Sequence, residues 1–366
     1  MRNVPYVNFA AQFAEERQQL LPIIEAVFMR GEFVGGPAVD RLEEEFALYL
    51  GVDNVVALNS GTDTLLLGMK ALGIGPGDEV ITPPNSFVAS TAAVVALGAM
   101  PVFADVLEDQ TIDPDAVRAA ITPRTKAIMP VHLTGRMCEM DPLMALAERH
   151  GLAVVEDAAQ SVGSLDHGRM SGAIGDVGCF SMHPLKNLNA AGDAGFVVLR
   201  DPGHARRVRL WRNHGLIDRE TVAEWGTVSR LDCLQAEILR YRLQRLANVI
   251  ERRRHNAARY RELLRGLPLY IPPERNYAFD TYHTFVIQVD RRDELREFLA
   301  GRGIGTAIHY PIPIHLQPAA SGLGHRPGSF PVTERQAQRI LTLPVNQFLS
   351  DDDLVYIAET IGEFYR

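Results

Sequence analysis

From residue 55 onward the chain alternates between short apolar runs and stretches in which apolar positions recur every three or four residues. The apolar runs are VVALN (55–59), DEVITPP (78–84), MPVFADV (100–106), TKAIMPVHL (125–133), LAVVED (152–157), DVGCFSM (176–182) and AGFVVLR (194–200). Each is of strand length, and they are apolar almost throughout, as strands are when helices cover both faces of a sheet. Between several of them lie helical patterns such as TDTLLLGMKALG and DPLMALAERHG. Strands alternating with helices predict an α/β fold, a large domain with a mainly parallel seven-stranded sheet between helices. Before this series, residues 14–50 read as helices separated by the turn GEFVGGP (31–37).

After it, one or two helices run from Leu231 to about Leu264, with Leu231, Leu234, Ile238, Tyr241 and Leu246 near one face. LYIPPE, TYHTFVIQV and GIGTAIHYPIPIH then read as strands, followed by helical patterns to Arg366. The expected division is a large domain over 1–245 and a smaller C-terminal α/β domain over 246–366.

Composition narrows the function classes. With 46% hydrophobic and 22% charged residues, the chain of 366 residues can fill ordinary cores. A net charge of -8, with no basic tail, argues against nucleic acid as the main partner. Cys138, Cys179 and Cys233 are scattered without zinc or redox spacing, which fits a reduced, cytoplasmic setting. No window offers the ~18 unbroken apolar residues of a membrane helix, and MRNVPYVNFAAQ has no apolar signal core.

Ligands of open parallel sheets gather beyond the carboxyl ends of the strands, so the residues standing there carry the chemistry. After VVALN, Ser60-Gly61-Thr62 opens a helix, whose free N–H groups and positive end suit a phosphate; the same residues also serve as ordinary helix caps. After LAVVED stands Asp157, with Gln160 three residues on. After DVGCFSM come Ser181 and then Lys186, set among residues too small to cover it. A lone lysine is usually a solvated surface group; the other reading is a desolvated amine, whose lowered pKa suits Schiff-base formation. A phosphate cradle, a carboxylate and a lysine on one sheet edge are what pyridoxal phosphate requires. Phe87, in PPNSFVAS, can supply a flat face for the ring or pack in the core.

The chain resembles the DegT/StrS family of PLP-dependent sugar aminotransferases, of the aspartate-aminotransferase fold type. The likeness runs through GEFVGGPAVDRLEEEFALYLG, ALNSGTDTLLLGMKALGIGPGDEVITPPNSFVAST, GAMPVFADV, PVHLTG, VVEDAAQSVGS, GDVGCFSMHPLKNLNAAGDAGF, RNHG, SRLDCLQAEIL and HYPIPIH, in order. It implies that Lys186 bonds the cofactor and then carries the proton between donor and cofactor. It further implies that Asp157 pairs with the pyridine nitrogen, Gln160 contacts the ring hydroxyl and Phe87 stacks on the ring. Gly61, Thr62 and Ser181, beside Ser60, would hold the phosphate. Arg230, His309 and Tyr310 match substrate-facing positions, some of them reaching across a homodimer interface. The implied reaction moves an amino group from L-glutamate or L-glutamine to a nucleotide-linked keto-sugar. The Gly192-Asp193-Ala194-Gly195 segment resembles the branch acting on 3-keto sugars; a 4-keto sugar or a keto-inositol are the alternatives.

One position departs from the pattern. The family reads G-x-Asn-x-Arg where this chain has Gly226-Thr227-Val228-Ser229-Arg230. The contact made by that Asn to the partner's phosphate is then absent, or is supplied by Thr227 or Ser229. Losing one hydrogen bond to a charged group costs roughly 1.5–3 kcal/mol. A branch with His in place of the lysine dehydrates sugars, and Lys186 sets that branch aside.

Other readings give less. A non-catalytic PLP-binding regulator is the alternative from another class. Gly73-Ile74-Gly75-Pro76-Gly77-Asp78 precedes a strand, so it reads as a turn, not a nucleotide fingerprint. The run ERRRHNAARYR (251–261) reads as the solvated face of a helix. His309 and His315, with prolines between them and no nearby Cys or acid, do not read as a metal site. His132 ends a strand and can line the site or make a structural hydrogen bond.

Overall fold

The structure, a computed structural model, describes residues 2–366. Two helices come first, α1 (Phe9–Arg30) and α2 (Pro37–Leu50). The first begins earlier than the apolar periodicity suggested, because the Asn8 side chain caps it, accepting from Ala11 N at 3.0 Å. The seven apolar runs become β1 (Val55–Leu58), β2 (Glu79–Thr82), β3 (Met100–Phe103), β4 (Thr125–Ile128), β5 (Ala153–Asp157), β6 (Val177–Ser181) and β7 (Gly195–Leu199). They form one sheet in the order β1-β7-β6-β5-β4-β2-β3. Only β7 runs against the rest, pairing antiparallel with both β1 and β6. The fold class expected from the sequence is the one observed.

Alternate residues of each strand serve opposite faces. Val55 and Ala57 join a core with Phe46, Phe180 and Phe196, under α1 and α2. Val56 and Leu58 point the other way, into a core with Leu65, Val94, Val177 and Trp211. Helices α3 (Gly61–Ala71) and α4 (Val88–Ala96) lie on that second face. Phe46 is fully buried, stacked on Phe196 at 4.3 Å and edge-on to Phe180 at 5.4 Å. Two-sided burial is why the strands lack the apolar/polar alternation of a half-exposed sheet.

The helical pattern after Leu231 is two helices, Cys233–Leu243 and Leu246–Leu263. Beyond them a three-stranded antiparallel sheet, Leu269–Tyr270, Phe285–Val289 and Ile340–Leu343, packs with the helix Asp351–Phe364. Val4 belongs to this same core, its N–H donating to Gly303 O at 2.8 Å.

GIGTAIHYPIPIH is not a strand. It makes only isolated bridges, Val4 to Ile304 and Ala307 to Thr342. Pro311 and Pro313 have no N–H to give a ladder, so the segment leaves the sheet and carries His309 and Tyr310 toward the large sheet's edge. The basic run also differs in one residue. Arg253 turns inward and is 8% exposed, whereas Arg252 stays in solvent.

Candidate active site

Strands β1 to β6 share one direction, so their carboxyl ends meet at a single edge. A cavity of about 290 Å³ lies there. Its lining includes Ser60, Gly61, Thr62, Phe87, Asp157, Gln160, Ser181, Lys186, His309 and Tyr310. Residues spread over 250 positions of sequence are thus brought together, as the sequence reading expected. Arg230 is the exception: it does not line this cavity. Its Nη1 donates to Asn213 Oδ1 at 3.4 Å and its Nε is buried without a partner.

The floor is built by backbone proximity. Ser60 caps α3, its hydroxyl accepting from Asp63 N at 3.1 Å. The Ser60 hydroxyl is therefore committed to its own helix, and the N–H groups of Gly61 and Thr62 are what the helix start offers an anion. Gly61 is forced by its neighbour: a Cβ there would lie 2.6 Å from Ser181 Cβ. This close approach puts the Ser181 hydroxyl beside the start of α3. The small residue in the Ser-Gly-Thr motif thus admits the end of β6 to the cradle.

Asp157 ends β5 and is buried. One carboxylate oxygen accepts from the Ser90 hydroxyl at 2.7 Å, the other from Ala159 N at 3.2 Å. Those bonds fix the side chain in one orientation. Gln160 is oriented from Thr134, whose N–H donates to its Oε1 at 2.8 Å, and its Nε2 donates to the Tyr310 hydroxyl at 3.4 Å. Phe87 precedes α4 and is 55% exposed, so it is not a core residue. Its ring stands 5.6 Å from that of Tyr310 across the cavity mouth.

Lys186 sits in a polar bend after β6. The bend is pinned from below: Lys186 N donates to His183 O at 2.8 Å, and Asn187 Nδ2 to Thr281 O at 3.0 Å. Asn189 Nδ2 donates to Pro184 O at 2.8 Å. Burial pushes the Lys186 amine down to about 8, against the pull of the Asp157 charge. A substantial neutral fraction therefore exists near neutral pH. Burial, and next the Lys186 charge, push His309 down to about 4, so its ring is neutral; Nδ1 lies 3.0 Å from Thr342 Oγ1. Burial pushes the Tyr310 hydroxyl up to about 12, with Asp157 adding to it, so it stays a donor.

His132 is structural. It is fully buried beneath the cavity, Nε2 3.0 Å from Glu156 Oε2, while Nδ1 accepts from Cys138 N at 3.1 Å. Glu156 also accepts from the N–H groups of Gly172, Ile174 and Gly175. His315 is buried with Nε2 2.9 Å from Glu334 Oε1. Sequence reasoning missed Ser90, the partner of Asp157, and His283, which lines the cavity from the TYHTF segment. Ser90 lies three positions after Phe87, on the first turn of α4, a spacing that could have flagged it. Nothing local distinguishes His283.

The sequence profile of the DegT/DnrJ/EryC1/StrS aminotransferase family matches residues 14–362. The chain belongs to that family. It is 43% identical over 363 residues to the dTDP-3-amino-3,4,6-trideoxy-alpha-D-glucose transaminase of Streptomyces venezuelae, covering 99% of this chain and 96% of that one. It is 42% identical to the UDP-N-acetyl-3-dehydro-alpha-D-glucosamine 3-aminotransferase of Acidithiobacillus ferrooxidans, covering 98% and 97%. The crystal structure of S. venezuelae DesV superposes with a TM-score of 0.98 at 42% identity, covering 100% of this chain and 99% of that one. A sugar aminotransferase structure from Streptococcus pneumoniae in its PLP form, 27% identical, superposes with a TM-score of 0.90 and covers 94% and 95%. No described helix is long and apolar enough to cross a membrane.

Proposed function

We propose that this aminotransferase uses pyridoxal 5′-phosphate to move an amino group from L-glutamate to a nucleotide-linked 3-keto sugar. The observation that carries the reading is one cavity holding Lys186, Asp157 and the start of α3 together. The residues fit the cofactor: an anion cradle at Gly61, Thr62 and Ser181, a fixed carboxylate at Asp157, and an amine with a lowered pKa. Bound there, the cofactor supplies an electron sink and stores the amino group between half-reactions.

The chain's own groups do the rest. The Gly61 and Thr62 N–H groups and the Ser181 hydroxyl bind phosphate oxygens. Asp157 holds a proton on the pyridine nitrogen. Gln160, fixed by Thr134, would meet the ring hydroxyl, and Phe87, which lines the same cavity, would cover the ring. Lys186 Nζ would hold the cofactor's aldehyde carbon and, as a free amine, would hold and move the proton of the donor's Cα. Its pKa of about 8 suits both loss and return of that proton near neutrality. His309 and Tyr310 contact the sugar.

The 3-keto assignment is supported by the 3-amino products or 3-keto substrates in the names of both relatives. Asp193 of the Gly-Asp-Ala-Gly segment lines the cavity. We further propose a homodimer with shared sites in the cytoplasm, and a domain division near residue 245. Phe87, Val88 and Leu185 around the mouth, with Phe9, Phe13, Phe28 and Phe33, leave apolar surface that a second copy would cover. Arg230 and the 47% exposed Val228 would then serve the partner's site. Ser229 cannot replace the missing asparagine contact, since it is buried with its hydroxyl 3.2 Å from Asn59 Oδ1.

The test is amination of dTDP- or UDP-linked 3-keto and 4-keto hexoses by the PLP-loaded protein with L-glutamate, read by mass spectrometry. A product from the 3-keto sugars alone is expected. Amination of only the 4-keto sugars would move the protein to the other branch. No product, with no response to any donor, would favour the regulatory reading.

A further inference from the structure

Arg253 is a buried guanidinium without an acid. Its Nη1 donates to the carbonyls of Tyr282 at 3.3 Å and His283 at 3.1 Å, and its Nε has no partner. The other buried arginines, Arg136 and Arg292, each meet a carboxylate within 4 Å. Burial pushes Arg253 down to about 10, with only the Tyr6 hydroxyl pulling the other way. A buried cation left unpaired is costly, so a site of this kind asks for an anion.

A small recess lies against this guanidinium, with a volume of about 30 Å³, room for a water or two. Arg253, Tyr6 and Asn346 line it, along with His283 and His309, and no carboxylate does. The recess adjoins the Lys186 cavity, since His283, His309 and Leu185 line both. His283 adds a second unsatisfied group: its Nδ1 is buried without a partner. Both histidines are kept neutral by burial, so the recess carries a single positive charge at Arg253.

We propose that Arg253 binds the side-chain carboxylate of the amino donor and thereby selects L-glutamate over L-glutamine. The inference rests on the aminotransferase reading of the Lys186 cavity. The α-carboxylate is attached to the carbon that reacts there and must stay in that cavity. The side-chain carboxylate lies three bonds further on and can pass between His283 and His309. An amide in the same place leaves the guanidinium without its counter-charge, and such buried polar mismatches discriminate strongly.

The experiment follows the donor half-reaction of PLP-loaded wild-type and Arg253→Met protein by absorbance, with L-glutamate, L-glutamine and L-alanine. Binding of 2-oxoglutarate is measured separately by calorimetry. A charge-assisted hydrogen bond of about 1.5–3 kcal/mol corresponds to roughly 10- to 100-fold. The expected result is that rise in the glutamate KM with kcat within a few-fold, and an equal loss of 2-oxoglutarate affinity. L-Alanine and the sugar half-reaction should be unaffected. A folded variant with unchanged glutamate KM overturns the proposal, as does an equal loss for all three donors. If Arg253→Met does not fold, Val7→Phe narrows the recess from the other wall and must give the same donor-selective loss. A wild-type protein that reacts with no donor would instead refute the aminotransferase reading itself.

Discussion

The depressed pKa of Lys186 can be tested directly on the cofactor-free protein. An ordinary lysine amine with a pKa of 10.5 is neutral to about 0.03% at pH 7, whereas one at about 8 is neutral to about 10%. Lys186 should therefore be roughly 300-fold more reactive toward an electrophile at neutral pH than an exposed lysine of equal intrinsic nucleophilicity. The sign of the Asp157 contribution gives a second, independent arm. Burial lowers the pKa and Asp157 raises it, so Asp157→Asn removes the opposing pull and must move the midpoint below 8. Ser90, whose hydroxyl can donate or accept, can still bond the new amide. The assay is competitive labelling with trace acetic anhydride against an internal amine standard, from pH 6 to 11, read at the Lys186 peptide by mass spectrometry. A wild-type midpoint near 8 that falls in Asp157→Asn is expected. A midpoint at 10 or above, or an upward shift in the variant, would refute the reasoning.

Three further outcomes are expected. Lys186→Ala should abolish turnover while leaving the melting temperature near wild type, since Lys186 is the one lysine among the described residues that line the cavity; near wild-type rates would remove the mechanism. Val228→Asn should tighten cofactor retention by roughly 10- to 100-fold, from 1.5–3 kcal/mol, by equilibrium dialysis; an unchanged dissociation constant would show that this departure is silent. Gly61→Ala drives a Cβ to 2.6 Å from Ser181 Cβ, so it should cost about 1–3 kcal/mol in urea unfolding and weaken PLP binding, with Ser181→Gly restoring part of the stability but not the binding.

Much of this was readable in the chain, and the losses have physical causes. The seven strands fell within their apolar runs because a sheet covered on both faces needs apolar residues throughout. That same uniformity hid the direction of Gly195–Leu199, since a buried strand looks alike whichever way it runs. GIGTAIHYPIPIH read as a strand from its β-branched residues, but its prolines withhold the ladder. Lys186, Asp157, Gln160 and Phe87 were legible because they stand at strand ends or helix starts within recognisable motifs. Arg253 was not, because a basic run on a helix ordinarily faces water, and one residue in that run turns inward to carbonyls far along the chain. Ser90 and Arg230 show the two remaining limits. The first acts through a partner 67 positions away, and the second points away from its own chain's cavity.

The central claim is that Lys186 bonds pyridoxal phosphate and that the donor's amino group passes to that cofactor. An absorption spectrum of the purified protein with PLP, before and after L-glutamate, tests it most directly. The account predicts a visible band of the lysine-bound cofactor that gives way to the band of the aminated cofactor. A PLP spectrum identical to that of free PLP, unchanged by glutamate and the same in Lys186→Ala, would contradict it.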